Sequence, residues 1–567
     1  MREDSGIAAV MVAVMVMPVL IVSCAMGIDV SSWYMTAARI QRAADSAALA
    51  GVIHLPGDVA TASATAIKYA GENGFPVKAG TTTVTAVQVP TKRSQLKVTI
   101  TSKVNNSFGA MVGIPTETIA REAVADFAGP IPMGSPCNIF GNEPPAGGSS
   151  PYTARSSACT FGATPGFWAS IAGPGAVKEN GDQFASKVCG SGVYGCSGSV
   201  NNDYSKPAAG YLGYFYKVPV AAGSGSINFE TYDPAFVATG EKCSALLPKK
   251  ASDIPSNTLN PEVTDAKTRY LAGNVIGEPQ TQFCTGDAEY GSAADAANAV
   301  TTFTVRAPSE LPDPSMAPVI AGCTKQFRGY GTDVIKKLTM GDPAYTSDGG
   351  VLAKSFRQWV TLCNVGSPVV GDYYMQVRTN IAWGAGGLDA AMSAPDSGSL
   401  NWNGQNYYSL RVKAGIDGTK VSVTGADRMS IFGNLSGSQR FYLARIGSVS
   451  AGQQLKIYLF DAGDADKNGS VTIFAPGDGA KSSLDCYEEI SPGNTDDLTN
   501  CTRTVSRGDN GELLTVVAQV PKDYSCTDAT ATSCWFRIAF DYPSSSVVND
   551  TTTWSVDLSG NRVRLVS

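Results

Sequence analysis

The chain has 567 residues with a net charge of -6, 16% charged and 43% hydrophobic residues, 13 Cys and a single His. One histidine excludes zinc sites built on several histidines and leaves only His54 for a Ser-His-Asp or Cys-His device. An acidic chain with scattered Lys and Arg lacks the basic footprint of a nucleic-acid binder, while its apolar content supports large cores in three or four domains of about 150 residues each.

Ile7 to Ile28 carries no charge and as a helix would extend about 33 Å, the thickness of a bilayer's hydrocarbon core. Residues 1–28 are therefore expected to be a membrane anchor, with Pro18 tolerated inside it and Trp33 and Tyr34 at headgroup depth. Two other readings stay open. A cleaved signal would ordinarily have a shorter apolar region and a more basic start than Arg2, Glu3 and Asp4 provide. Ile21-Val22-Ser23-Cys24 has the form of a lipobox, which makes Cys24 a candidate for lipidation.

From Asp29 to Gly51 the chain is Ala-rich and free of Pro, which favours helix with side chains small enough for close helix packing. His54-Leu55-Pro56-Gly57 stops it, and a second helix is expected over Asp58–Glu72 with Asp58 as N-cap. Thr83–Val89 and Gln95–Thr101 alternate apolar and polar residues and read as a hairpin. A helix-like turn over Phe108–Ile114 and a third strand, Glu117–Phe127, complete a small α+β region over 29–128.

Gly6 opening the apolar run, Gly27-Ile28-Asp29-Val30-Ser31-Ser32-Trp33-Tyr34, Gln41-Arg42-Ala43-Ala44-Asp45-Ser46-Ala47-Ala48-Leu49-Ala50 and the Tyr69-Ala70…Asn73-Gly74 stretch together resemble the TadE/TadG-like region of Tad (Flp) pilus-assembly proteins, over about residues 1–128. The resemblance implies a single-pass anchor with a pilin-like extracytoplasmic part, in machinery that builds or tethers type IVb-like pili. Two departures stand out. Met11 occupies the place where prepilin-type processing after Gly6 would favour Glu. Asp29-Val30-Ser31-Ser32-Trp33 fails the last position of the Asp-x-Ser-x-Ser metal motif of long TadG-like proteins, so that site is not carried over.

Six prolines between Pro130 and Pro151 mark 129–151 as a linker. Beyond it, short alternating strands between Gly, Pro, Asn and Asp turns predict two mainly-β sandwich modules, 152–382 and 400–567, separated by a Gly/Ala/Ser-rich break at 383–399. Gly213–Val218 followed by Ile227–Pro234 is echoed by Arg440–Ala444 followed by Leu455–Asp461, each pair ending in an aromatic-Asp step or close to one. This echo resembles the jelly-roll-like modules, of the prepeptidase C-terminal type, attached to bacterial secreted proteins. With Cys24 set aside, Cys137, Cys159, Cys189, Cys196, Cys243, Cys284, Cys323, Cys363, Cys486, Cys501, Cys526 and Cys534 include no CxxC and read as a disulfide framework, which places the body of the chain outside the cytosol. Cys189/Cys196 and Cys526/Cys534 are natural local pairs.

Asp464-Ala465-Asp466-Lys467-Asn468-Gly469, with Asp461 close by, matches the first half of a Ca²⁺ loop, and Asp461, Asp464, Asp466 and Asn468 are the metal candidates. Ala475 stands where an EF-hand needs its bidentate Glu; the alternative is an exposed Asn-Gly hairpin turn. No nucleophile elbow or phosphate loop occurs in a strand–helix context. Glu488-Glu489 and Asp496-Asp497 read as solvated turns, and Trp402, Tyr407 and Tyr408 as core or, alternatively, as a sugar-stacking platform. The expectation is a non-enzymatic, membrane-anchored component of a Tad/Flp pilus apparatus, single-pass with its bulk periplasmic or at the cell surface. Its expected partners are the bilayer, other pilus components through the Ala-rich helix, and envelope or surface ligands; no cofactor is required, and Ca²⁺ is the one candidate. The alternative is a surface carbohydrate- or Ca²⁺-binding adhesin on the same anchor.

Overall fold

Alanines spaced three and four apart decide how the N-terminal region folds. In the computed structural model, which describes residues 4–55, 59–90, 92–127, 130–143, 167–204, 211–240, 285–289, 299–309, 313–331, 351–385, 387–388, 401–433, 437–477, 484–526, 533–559 and 563–566, the chain divides into two units. In the first, helix α1 (Asp4–Val52) runs without a break at residue 28. Its second half turns Ala37, Ile40, Ala44, Ala47, Ala48 and Val52 into the core, and α2 (Val59–Glu72) answers with Ala62, Ala66 and Ala70. These are the one-face spacings of a 3.6-residue period. The N-cap expected at Asp58 lies outside the described residues.

Strands β1 (Thr82–Val89), β2 (Lys92–Asn105) and β3 (Thr116–Phe127) form the antiparallel sheet beneath the helices, β1 paired to β2 and β2 to β3. Alternation puts Val84, Ala86, Leu96, Val98, Ile100, Ala123 and Ala125 on the buried face. The expected helix-like turn is a short 3₁₀ segment, Gly109–Val112. A fourth strand, Val563–Leu565, pairs with β3 from the far end of the sequence, so the C-terminal residues do not belong with the β modules.

The first half of α1 is different. Val10, Met11, Val14, Met15, Val19 and Leu20 are all exposed. Among the described residues no helix is long and apolar enough to cross a membrane, and the side chains at 7–9, 18, 21, 22 and 25 of this run lie outside them.

The second unit covers 130–309 and 314–559 and is a double layer of antiparallel strands. One layer runs in the order 319–328, 300–306, 371–378, 214–220, 424–426, 132–134, 437–445, 535–542, 469–474, 502–505. The other runs 359–365, 227–232, 404–414, 168–172, 428–433, 550–559, 454–460, 513–519, 486–491, 494–497. Aromatic rings close the space between them: Phe229 meets Tyr373, Phe303 meets Tyr408, and Phe540 stacks on Trp554 with centroids 5.4 Å apart. This interdigitation of two inner faces is what makes a β-sandwich core.

The echo in the sequence is a repeat in the fold. The strands 214–220, 227–232, 300–306, 319–328, 359–365, 371–378 and 404–414 pair with one another in the same pattern as 437–445, 454–460, 469–474, 502–505, 513–519, 535–542 and 550–559. In each set the first and third strands flank the sixth, the fourth pairs with the third, and the fifth and seventh flank the second. The second copy adds the hairpin 486–491/494–497.

Two expected boundaries are corrected. The stretch 383–399, mostly outside the described residues, leads from the sixth to the seventh strand of the first copy, so it does not part the modules; loop composition marks a loop whether or not a domain ends there. Residues 130–143, expected as linker, are nearly all buried, with Met133 and Phe140 in the core and 132–134 paired to both 424–426 and 437–445. Pro132 opens the strand 132–134 within the sandwich.

Of the cysteines, Cys189–Cys196 and Cys526–Cys534 form the expected local pairs. Cys323–Cys363 joins the edge strands of the two layers at one end of the sandwich, and Cys486–Cys501 joins the layers near the other. Cys137 is also in a disulfide; Cys159, Cys243 and Cys284 lie outside the described residues. Cys24 is a free, exposed thiol on α1.

Candidate functional site

Two places gather polar side chains in a way that packing alone does not explain. The first is where the apolar half of α1 meets the sheet. Asp29 is buried, and its carboxylate accepts from the backbone amides of Ser107 at 2.8 Å, Phe108 at 3.1 Å and Gly109 at 2.7 Å. Trp33 Nε1 donates to Asn106 Oδ1 at 2.7 Å, and Gln41 Nε2 donates to the Glu122 carbonyl at 3.0 Å. Asp29 and Trp33 of the first block and Gln41 of the second thus fasten α1 to the β2–β3 turn and to β3, whereas Ser31 and Arg42 bond back to carbonyls of α1 itself.

Burial pushes the Asp29 carboxyl up, but the three amides outweigh it and hold it below the ordinary 3.8. A depressed carboxyl lends stability above its unfolded value and loses it as pH falls through the lowered one. Asp29→Asn, with one acceptor oxygen in place of two, is expected to speed hydrogen exchange at Ser107, Phe108 and Gly109 at neutral pH. The wild-type chain should lose its advantage only in strong acid. Equal exchange in the two proteins at pH 7 would remove the clamp.

The second place is the corner after strand 454–460. Asp461 is buried in a left-handed conformation, φ 62°, which Asp tolerates better than most residues. Its Oδ1 accepts from the Gly511 amide. Asp464 follows, with Asn510 Nδ2 at 3.5 Å. Asp550, fully buried, accepts from the Gly463 amide at 3.1 Å and from the Tyr542 hydroxyl at 2.9 Å, both on Oδ2. Burial and then the Asp464 charge push the Asp550 carboxyl up to about 7. Asp461 is raised by burial and by the charges of Asp464, Asp550 and Glu179; Asp464 is raised chiefly by burial.

Of the four metal candidates, Asp461 and Asp464 enter this corner. Asp466 and Asn468 lie at the exposed tip of the loop, where Asp466 Oδ1 accepts from the Val547 amide at 2.8 Å. Gly469 is explained by packing, since a Cβ there would lie 2.4 Å from the Tyr542 ring. The loop is no hairpin turn either: it carries the chain from one layer to the other. Asp550 carried no signal in the sequence, being a lone Asp opening a strand far from the motif. Among the described residues no group of three or more His, Cys, Asp or Glu could hold a metal ion.

The remaining candidates resolve simply. Trp402, Tyr407 and Tyr408 are fully buried, so these three rings offer no face to a sugar. Glu488 pairs with Arg503 at 2.7 Å and Glu489 with Lys456 at 2.7 Å, the ordinary use of surface carboxylates. His54 is half-buried at the turn ending α1, its amide bonded to the Gly51 carbonyl.

Residues 6–63 match the family model described as putative Flp pilus-assembly TadE/G-like. The matched stretch comprises nearly all of α1, the turn after it and the first residues of α2. No curated protein and no solved structure matches the chain.

Proposed function

We propose that the chain is an envelope-associated, non-enzymatic component of a Tad/Flp-type pilus-assembly apparatus. The observation that carries this reading is where the family match falls: on the helix whose first half exposes an apolar surface and whose second half is built into a folded unit through Asp29, Trp33 and an alanine seam. Single-pass anchoring by residues 7–28 belongs to the reading. It is supported by the exposed Val10, Val14, Met15 and Leu20 and by disulfides in the body of the chain, which persist in oxidising compartments. Ala43, Ala44, Ala47 and Ala48 are consumed by the unit's own core. Contact with other pilus components therefore falls to the exposed first half of α1 and to the outer surfaces of the sandwich.

Deleting the gene in its host is expected to abolish surface pili, and reintroducing it to restore them; unchanged piliation would overturn the pilus reading. A chain carrying Val14→Asp and Leu20→Asp is expected to leave the membrane fraction and fail to restore pili, since each charge costs about 2.5–3.5 kcal/mol at the centre of a spanning helix. Its full retention in the membrane would overturn the anchoring.

A further inference from the structure

The turn between β2 and β3 presents apolar side chains to solvent. From Val104 to Thr116 the sequence has no charged residue, and Phe108-Gly109-Ala110-Met111-Val112-Gly113-Ile114-Pro115 fills the centre of that stretch. Met111 is 81% exposed and Ile114 53%, with Ala110 and Pro115 exposed beside them. A tip that only had to reverse the chain would ordinarily be polar. This one is also well held: the Met111 amide donates to the Phe108 carbonyl at 3.0 Å, the Ile114 amide to the Gly109 carbonyl at 2.8 Å, and the buried Asn106 donates from Nδ2 to the Ile114 carbonyl at 2.9 Å. The two apolar side chains are therefore displayed from a fixed frame.

Asp29 sets the level of this tip along α1. It is the first charged residue after the uncharged run 7–28, and its carboxylate grips the amides of Ser107, Phe108 and Gly109. The turn is thereby fastened to the helix one residue beyond the end of that run. Met26 and Ile28 of α1 are exposed at the same level. Asp29 itself is buried beneath the turn with its oxygens occupied by amides, so it shows no charge to the outside. Charge resumes behind the tip, with the exposed Lys103 on β2 and Glu117 on β3.

We propose that the β2–β3 turn is a second membrane contact, in which Met111 and Ile114 dip into the boundary between headgroups and acyl chains while Lys103 and Glu117 stay in water. The inference rests on the anchoring by residues 7–28 proposed above and adds to it: a single helix fixes only the height of the N-terminal unit, whereas a helix and a turn joined through Asp29 also fix its tilt. A lipid surface fits the tip better than a protein partner does. The tip continues the apolar surface of Met26 and Ile28, and two side chains on a short turn suffice to enter a bilayer interface. They fall far short of the roughly 800 Å² a side that a specific protein interface needs.

The test is a nitroxide at residue 111, introduced as Met111→Cys in the full-length Cys24→Ser chain and reconstituted in vesicles of phosphatidylethanolamine and phosphatidylglycerol. The Cys24→Ser chain alone serves as the labelling blank. The same label at Val14→Cys reports on the anchor. At Val87→Cys it reports on water, because Val87 is exposed and lies opposite Lys97, about 26 Å along β2 from Asn105. Collisions with oxygen, which partitions into lipid, and with a water-soluble nickel chelate are measured at each position. Residues 14 and 111 are both expected to favour oxygen, with chelate collisions at 111 reduced about threefold or more from those at 87. Residue 14 in lipid with residue 111 in water overturns the turn contact and leaves the anchoring standing; water at both overturns the anchoring, and the contact with it. Shielding of residue 111 from both reagents, the mark of a second copy packed on the turn, also overturns the proposal. Ile114→Cys with Met111 retained gives an independent reading, with the same outcomes counting for and against.

Discussion

Gly51→Val is expected to unfold the N-terminal unit while leaving the sandwich intact. Gly51 lies in the last turn of α1 where α2 and β2 come closest. A Cβ there would sit 2.6 Å from the Ala62 carbonyl oxygen, 2.6 Å from Leu96 Cδ2 and 2.9 Å from Ala66 Cβ. Two of those three belong to a helix whose Ala62, Ala66 and Ala70 are all buried against α1, so relief requires moving the helix. Overpacking of this kind costs about 3 kcal/mol, or more when backbone must shift. Gly27 is the control. Nothing lies within 4 Å of its added Cβ, and Gly27→Ala should raise stability slightly through helix propensity alone. Hydrogen exchange on the full-length variant checks both: amides of α2 and β1–β3 should lose protection in Gly51→Val, and strands of the sandwich should keep theirs. Retained protection in α2 would mean that the helices do not cross at Gly51. Under the proposed function the same variant should fail to restore pili although its apolar first half is unaltered.

What could be read from the sequence follows from how local each signal is. Alanines at 44, 47 and 48 against 62, 66 and 70, and the alternation through Val84–Ala86 and Leu96–Ile100, are periodicities inside single elements, and they specify the first unit's helices and hairpin. The echo between Tyr214–Tyr232 and Arg440–Asp461 was legible because a strand, a turn and an aromatic-Asp step are contiguous. Alternation of apolar and polar residues through Tyr408–Lys413 implies one wet face, whereas the strand 404–414 that contains it is flanked on both sides in its layer and buried from Gly404 to Val412. Asp550 joins Asp461 only through the seventh strand of the second copy, and no spacing rule reaches across that distance. The pairing of 563–565 with β3 was hidden for the same reason: partner choice for a three-residue strand is set by which sheet edge is open, a property of the fold and not of the segment.

The other large effect is expected for Asp182→Ala, at the seam between the two copies. Strand 168–172 pairs with 404–414 of the first copy on one side and with 428–433, next to 550–559 of the second, on the other. The turn after it is locked in place. Gly181 has φ +97°, and a Cβ there would fall 1.8 Å from the Thr551 carbonyl; Gln183 donates its amide to Thr553 Oγ1 at 3.0 Å. Asp182, fully buried, organises this turn with four donors: the amides of Ala172 at 2.8 Å, Phe184 at 3.1 Å and Ala185 at 2.9 Å, and the Tyr214 hydroxyl at 2.6 Å. Alanine leaves all four unsatisfied in the interior, at about 1–3 kcal/mol each before water enters the space, so a loss on the order of 4–5 kcal/mol is expected for the sandwich. Burial raises the Asp182 carboxyl above its ordinary value despite those donors. A raised carboxyl lends its full stability below the unfolded value of 3.8 and loses it as pH climbs through the folded one. The deficit of Asp182→Ala against wild type should therefore be larger at pH 4 than at pH 8. Asp182→Asn should not rescue, because an amide nitrogen would face the Ala172 N–H or the donors on the other oxygen. Urea unfolding at the two pH values measures all of this. A deficit under about 1 kcal/mol, or one that shrinks in acid, would show that the seam is held by something other than this carboxylate.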